Sequence, residues 1–358
     1  MFNHYSVAKK RSVFNLMCCL VLLCSAGCSS VYKSTGKVIT GFTEAELVPY
    51  VATLSDLDAG CQTAQSMSAF LLSFQTVAVD VSKLDILMSM LSGHCKTEQT
   101  WESELAYLRA LHQKNPAAAK DAGIQRTRFA ITATQRYWQG YQAFERAFET
   151  ELEQLNQPLD STQNRQCPDI AEDDQLYWLI GLVNGLLAVM SDGVAERASQ
   201  VPLTVANEVA TRAPCLTDAG WWGMVSAMQA VVASLQIESN TDWQQLLSDA
   251  MAQGSAQGVR LASAFAANVY YLKGDEENLR AVIRRHFLAS ERASEAGMAT
   301  RVSPKWAMFD RAASAYVLAM SDFLWTQATG SRTPQDKWGQ FWDESTPDQD
   351  FELDWDAL

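Results

Sequence analysis

The side chains with the widest chemical repertoire are few and scattered in this sequence. Past residue 60 there are four cysteines, Cys61, Cys95, Cys167 and Cys215, and three histidines, His94, His112 and His286. Zinc needs cysteine or histidine ligands at short spacing. Neither a C-x-x-C nor a close His pair occurs, so no metal is expected. The H-E-x-x-H signature is missing as well. Gly254-Ser255-Ala256-Gln257-Gly258 sets its serine one place early for a nucleophile elbow, and no strand leads into it. No glycine-rich loop for a phosphate is present. These absences point away from an enzyme, and no cofactor is expected.

Binding groups are easier to find. Arg284, Arg285, His286 and Arg292 form a basic island that could hold a carboxylate or a partner's acidic patch. A solvated helix face with local ion pairs is the plainer use of the same residues. Tyr270 and Tyr271 are further candidates, as groove-filling aromatics on a helix rich in alanine. The segment 329–358 carries Trp338, Phe341, Trp342, Phe351 and Trp355 beside seven acidic residues from Asp343 onward. Such a tail can dock on a partner, or its aromatics can pack on the body it follows.

The elements that position these groups read as helices throughout. Helices are expected at about 43–57, 63–79, 82–91 and 100–113, with Asn115-Pro116 breaking the last and opening the next. From Pro116 to about Leu155, Tyr137, Tyr141, Phe144, Phe148, Leu152 and Leu155 recur at three and four, one apolar stripe for packing. Residues 156–172 are polar, hold Pro158 and Pro168, and mark a sub-boundary. Leu176 to Met190 is apolar on nearly all sides, a buried central helix of about 15 residues, too short for a span. Its Gly181 and Gly185 allow a neighbouring helix to come close. Further helices follow at about 200–213, 218–236, 241–253, 256–272, 275–294 and 304–328. Sustained alternation and hairpin turns are nearly absent, so the fold class is all-α, built of stacked antiparallel helical hairpins as a solenoid or bundle over 44–328.

The N-terminus addresses the chain. Lys9, Lys10 and Arg11 precede the apolar run Val13–Leu23, and Ser25-Ala26-Gly27 precede Cys28. A positive start, a short apolar core and a small-residue cut site make residues 1–27 a secretory signal peptide. Ser25-Ala26-Gly27-Cys28 resembles the bacterial lipobox, which implies cleavage before Cys28 and lipidation of its thiol. Acyl chains on Cys28 would hold the protein on a membrane. Ser29 and Ser30 supply no aspartate of the kind that resembles an inner-membrane retention signal, so the periplasmic face of the outer membrane is expected. Residues 28–43 then read as a polar tether averaging roughly 20–25 Å.

Removing residues 1–27 leaves 331 residues, with 25 basic and 41 acidic side chains and a net charge of −16. That charge repels nucleic acid and anionic lipid alike. In an exported chain the four cysteines would form two disulfides. Of three possible connectivities, Cys61–Cys95 and Cys167–Cys215 would each staple neighbouring elements.

The unit Ala264–Glu277, with small and aromatic residues on one helix and Gly274-Asp275 before the next, resembles a tetratricopeptide hairpin. Residues about 173–294 look most similar to the TatT-type lipoproteins associated with TRAP transporters. The likeness rests on Tyr177-Trp178, on Trp221-Trp222-Gly223, and on His286-Phe287 before Ala289 and Glu291. The resemblance implies a periplasmic homo-oligomer that accompanies a solute-binding protein and handles small, hydrophobic or acidic ligands. The alternative is a structural adaptor in envelope assembly, acting through protein contacts alone. An enclosed apolar cavity separates the two.

Overall fold

The computed structural model describes residues 30–155, 167–236, 240–295 (backbone alone at 288–295) and 303–344. The expected signal peptide, Cys28 and the residues beyond 344 lie outside the described residues. Among those described, the chain is all-α, with no strand.

The expected tether is helical. Residues 30–42 form helix and continue through a π-helical turn, Thr43–Leu47, into Val48–Ala52; this run is α1. One face of it is buried, which is why a polar-looking stretch orders. Thr40 and Thr43 are buried, with hydroxyls bonded to the carbonyls of Gly36 and Ile39 at 2.8 Å each. Gly36 lies against Phe74 and Val79.

α2 (Leu57–Ser73) is capped by Asp56, whose carboxylate accepts from the Ala59 amide at 3.1 Å. The next two expected helices are one, α3 (Ser82–His112). Gly93, which weakens a helix in isolation, sits against the Tyr137 ring in a space where a Cβ would be only 2.6 Å from it. Packing outweighs propensity there. A three-residue turn leads to α4 (Pro116–Ala147), with Asn115 as cap and Pro116 at its first position. The apolar stripe bends once at Phe148 before α5 (Glu149–Leu155), and all six of its aromatic and leucine residues are buried.

α6 (Gln175–Val194) lies on the α3–α4 hairpin as the central helix. At 20 residues it is longer than expected, and with the turn before it is long and apolar enough to cross a membrane. Here it is core, with Trp178, Leu179, Leu182 and Leu186 fully buried. Gly181 and Gly185 face Phe144 and Tyr141, so α4 and α6 approach as closely as their small residues allow. The Asn184 amide reaches the Ile86 carbonyl at 2.9 Å, tying α6 to α3.

The second half adds α7 (Thr204–Arg212), α8 (Met224–Leu235), α9 (Trp243–Gln257), α10 (Leu261–Lys273), α11 (Glu276–Glu295) and α12 (Ala307–Thr329). The pairs α8–α9 and α10–α11 are the expected antiparallel hairpins. α12 then packs on both α10 and α3, with Tyr316 edge-on to Trp101 at 5.0 Å. The array is therefore closed by its last helix onto its first long hairpin.

Both favoured disulfides are formed. Cys61–Cys95 joins α2 to α3 with Cα atoms 5.8 Å apart, and Cys167–Cys215 joins the segment before α6 to the end of α7's turn at 5.2 Å. The body also extends past residue 328. Phe341 is buried, Trp342 packs on Trp325 at 5.8 Å, and Trp338 on Phe287 at 5.4 Å. The first part of the acidic tail is thus a wall of the domain, because its aromatics find apolar surface on α11 and α12.

Candidate functional site

The closed helices enclose a line of voids. The widest, about 330 Å³, is lined by α3, α4, α6, α10 and α12, including Trp101, Ala133, Met190, Tyr271 and Phe323. A second, about 80 Å³, continues inward past Leu179, Ile180, Val183, Phe265 and Met308. His94, Tyr137, Leu187, Asn268 and Tyr316 line both, so they form a waist between the two. A third void of about 30 Å³ shares Met90, Leu91, Met308 and Phe309 with the second, and ends under Val48, Val51 and Ala52 of α1. The wide end opens near Val194, Glu196 and Leu272, which are exposed.

The wall is apolar with few polar points. Arg126 in α4 donates from Nη1 to Glu104 Oε2 in α3 at 2.6 Å, and the Tyr271 hydroxyl bonds to the same carboxylate. The Tyr137 hydroxyl is 3.0 Å from that of Thr97. Burial pushes the Tyr137, Tyr271 and Tyr316 phenols well above the usual tyrosine range, so all three stay protonated. This arrangement can hold a small apolar molecule. It brings together no nucleophile and base, and among the described residues no group of three or more His, Cys, Asp or Glu could hold a metal.

The basic island does not form as a unit. His286 is turned inward and buried, its Nε2 3.1 Å from Ser314 Oγ. Burial, then the Arg260 guanidinium, lower its pKa to about 3, so it is neutral. Arg284 pairs with Glu344, and Arg285 reaches Ser248 from α11 to α9. The side chain of Arg292 lies outside the described residues. The divergence follows from helix geometry: charges spread over nine residues of a helix need not share a face, and residue 286 falls on the inner side of α11. Of the two tyrosines, Tyr270 is core against Trp243 at 5.7 Å, and Tyr271 lines the chamber.

Sequence reasoning missed His94, Asn268 and Tyr316 as a group. They come from three helices and are far apart in the chain, so no spacing rule connects them. The available signal is the three-four spacing of Trp306, Phe309, Ala313, Tyr316, Met320 and Leu324 in the last helix, which a core residue would show equally.

Comparison with known protein families, with curated proteins and with solved structures finds no match for this chain.

Proposed function

We propose that this protein is a lipid-anchored binding module of the bacterial envelope, an accessory to solute transport that receives a small apolar ligand in its central chamber. The observation that carries this reading is the line of voids from the mouth at Leu272 to the underside of α1. Ligand sites are concave, mostly apolar and furnished with a few polar groups. An adaptor working by surface contacts alone would have no need of such a chamber.

The anchoring reading gains support from α1. Helix is present from residue 30, two positions after Cys28. Val31, Val38 and Phe42 recur on one face and are 63%, 71% and 62% exposed. The only charges between residues 29 and 43 are Lys33 and Lys37, in a protein otherwise strongly acidic. An apolar face with nearby lysines suits a bilayer interface. Acyl chains on Cys28 would therefore set α1 against the membrane surface, with the narrow end of the void line beneath it.

Two measurements test the reading. Cells carrying Cys28→Ala should release the protein from membranes into the soluble fraction; retention on membranes would contradict the anchor. Organic extraction of the native protein should yield a bound apolar compound. Ala133→Phe, which fills the chamber from its wall, should abolish that yield while the melting curve stays cooperative. Equal yield from both proteins would contradict the chamber as a binding site.

A further inference from the structure

The waist of the chamber carries hydrogen-bonding groups that the protein itself does not use. Tyr316 and Asn268 are surrounded by helices, yet both keep partial exposure, and the space they face is the chamber. Among the other polar points, Tyr137 bonds to Thr97 and Tyr271 to Glu104, whereas His94 Nε2 at the waist is buried without a hydrogen bond to another described residue. Neither the Tyr316 hydroxyl nor the Asn268 carboxamide makes a hydrogen bond to another described residue. A polar group that faces an apolar chamber without a protein partner is left poorly matched, so a ligand that supplies the partner is favoured.

The charge on the wall decides what kind of ligand that is. Arg126 is the sole cation among the residues lining the voids, and Glu104 already neutralises it at 2.6 Å. Glu196 stands at the mouth, and Glu98 lies 3.5 Å from His94 Nε2. A carboxylate or phosphate entering here would lose its hydration, find no unpaired lysine or arginine and meet Glu196 at the mouth. A pure hydrocarbon would leave the phenol and amide unmatched. A neutral molecule with one acceptor oxygen avoids both penalties.

Resting on the chamber as a binding site, we infer that the ligand class is an uncharged aliphatic or aromatic compound bearing a carbonyl, ester or similar acceptor. Its oxygen is held at the waist by Tyr316 and Asn268. Its apolar arms lie in the chambers on either side. Specificity of this type is strong, because a site built to hydrogen-bond rejects analogues that leave its groups unpaired.

Three probes of nearly equal size separate the possibilities: 2-nonanone, nonane and octanoate. The protein is the full mature chain with Cys28→Ala, so that no detergent competes for the chamber. Binding of the first two is measured by headspace partition, and of octanoate by equilibrium dialysis. The ketone should bind about tenfold tighter than nonane or octanoate. Tyr316→Phe should bring the ketone to within about threefold of nonane and leave nonane unchanged. Asn268→Leu should do the same, and the near-isosteric Tyr316→Phe decides alone if Asn268→Leu fails to fold. Equal binding of ketone and nonane, or tighter binding of octanoate, overturns the inference while leaving the chamber reading intact. Failure of all three probes to bind overturns both.

Discussion

Arg260 reaches across 50 residues to grip Asp310, with Nε donating to Oδ1 at 2.8 Å and Nη2 to Oδ2 at 2.5 Å. Both side chains are buried. The Arg260 backbone amide adds a third bond to Oδ1 at 3.0 Å, and Nη1 reaches the His286 carbonyl at 3.2 Å. The start of α10, the middle of α11 and the start of α12 are thereby tied at one point. That point sits beside the inner end of the chamber, where Leu261 and Phe309 are neighbours in sequence of the two charged residues.

Removing one partner of a buried pair leaves the other charge without compensation, which costs about 3–5 kcal/mol. Arg260→Met should therefore lower the urea midpoint sharply. Combining it with Asp310→Leu should recover part of the loss. A double variant as unstable as the sum of the single ones would show that the two residues act independently.

His286 sets a pH dependence. Its folded-state pKa of about 3 lies below the 6.5 of a free imidazole, because burial and Arg260 both disfavour the charged ring. The unfolded chain binds a proton below pH 6.5 that the folded one refuses. The neutral ring's contribution is thus complete above pH 6.5 and is lost as pH falls toward 3. Between pH 7 and pH 5 the loss amounts to about 2 kcal/mol. Asp85 and Asp322, whose carboxyls are raised chiefly by burial, act in the opposite sense at lower pH. Comparing His286→Gln with the unaltered protein by urea titration isolates the histidine: the variant should lose less stability than the parent over this interval.

Two glycines in α4 and α6 should respond oppositely to alanine. At Gly181 a Cβ would stand 2.4 Å from the Phe144 ring and 2.6 Å from that residue's own Cβ, which cannot swing away. Gly181→Ala should cost about 1–3 kcal/mol through overpacking. At Gly123 the nearest atom is 3.7 Å away on Tyr107. Gly123→Ala should stabilise by roughly 0.5–1 kcal/mol, the helix propensity difference. Thermal unfolding of both variants settles the signs.

The disulfides close loops with sequence separations of 34 and 48. Chain-entropy arguments give about 4 kcal/mol for each loop of this size. Replacing Cys61 and Cys95 together by serine should lower unfolding free energy by that order, and the Cys167 and Cys215 pair likewise. Insensitivity of the midpoint to reductant would show that the unfolded chain is already constrained without them.

Much of this architecture is written locally. The all-α class, the hairpins α8–α9 and α10–α11, the burial of Tyr137 to Leu155 and the central place of α6 follow from apolar spacing, which is a property of single helices. The cysteine pairing followed from neighbouring positions in an antiparallel array. What spacing cannot show is which helices meet. The continuity of α3 through Gly93 depends on a ring from α4, and the ordering of residues 30–43 depends on Phe74 and Val79. The inward turn of His286 depends on Arg260 and Ser314 from two other helices. Closure by α12 onto α3 creates the chamber, and its waist joins residues 94, 268 and 316. Helical periodicity reports which face of each element is buried; only the packed tertiary structure decides whether that face meets another side chain or an open space large enough for a ligand.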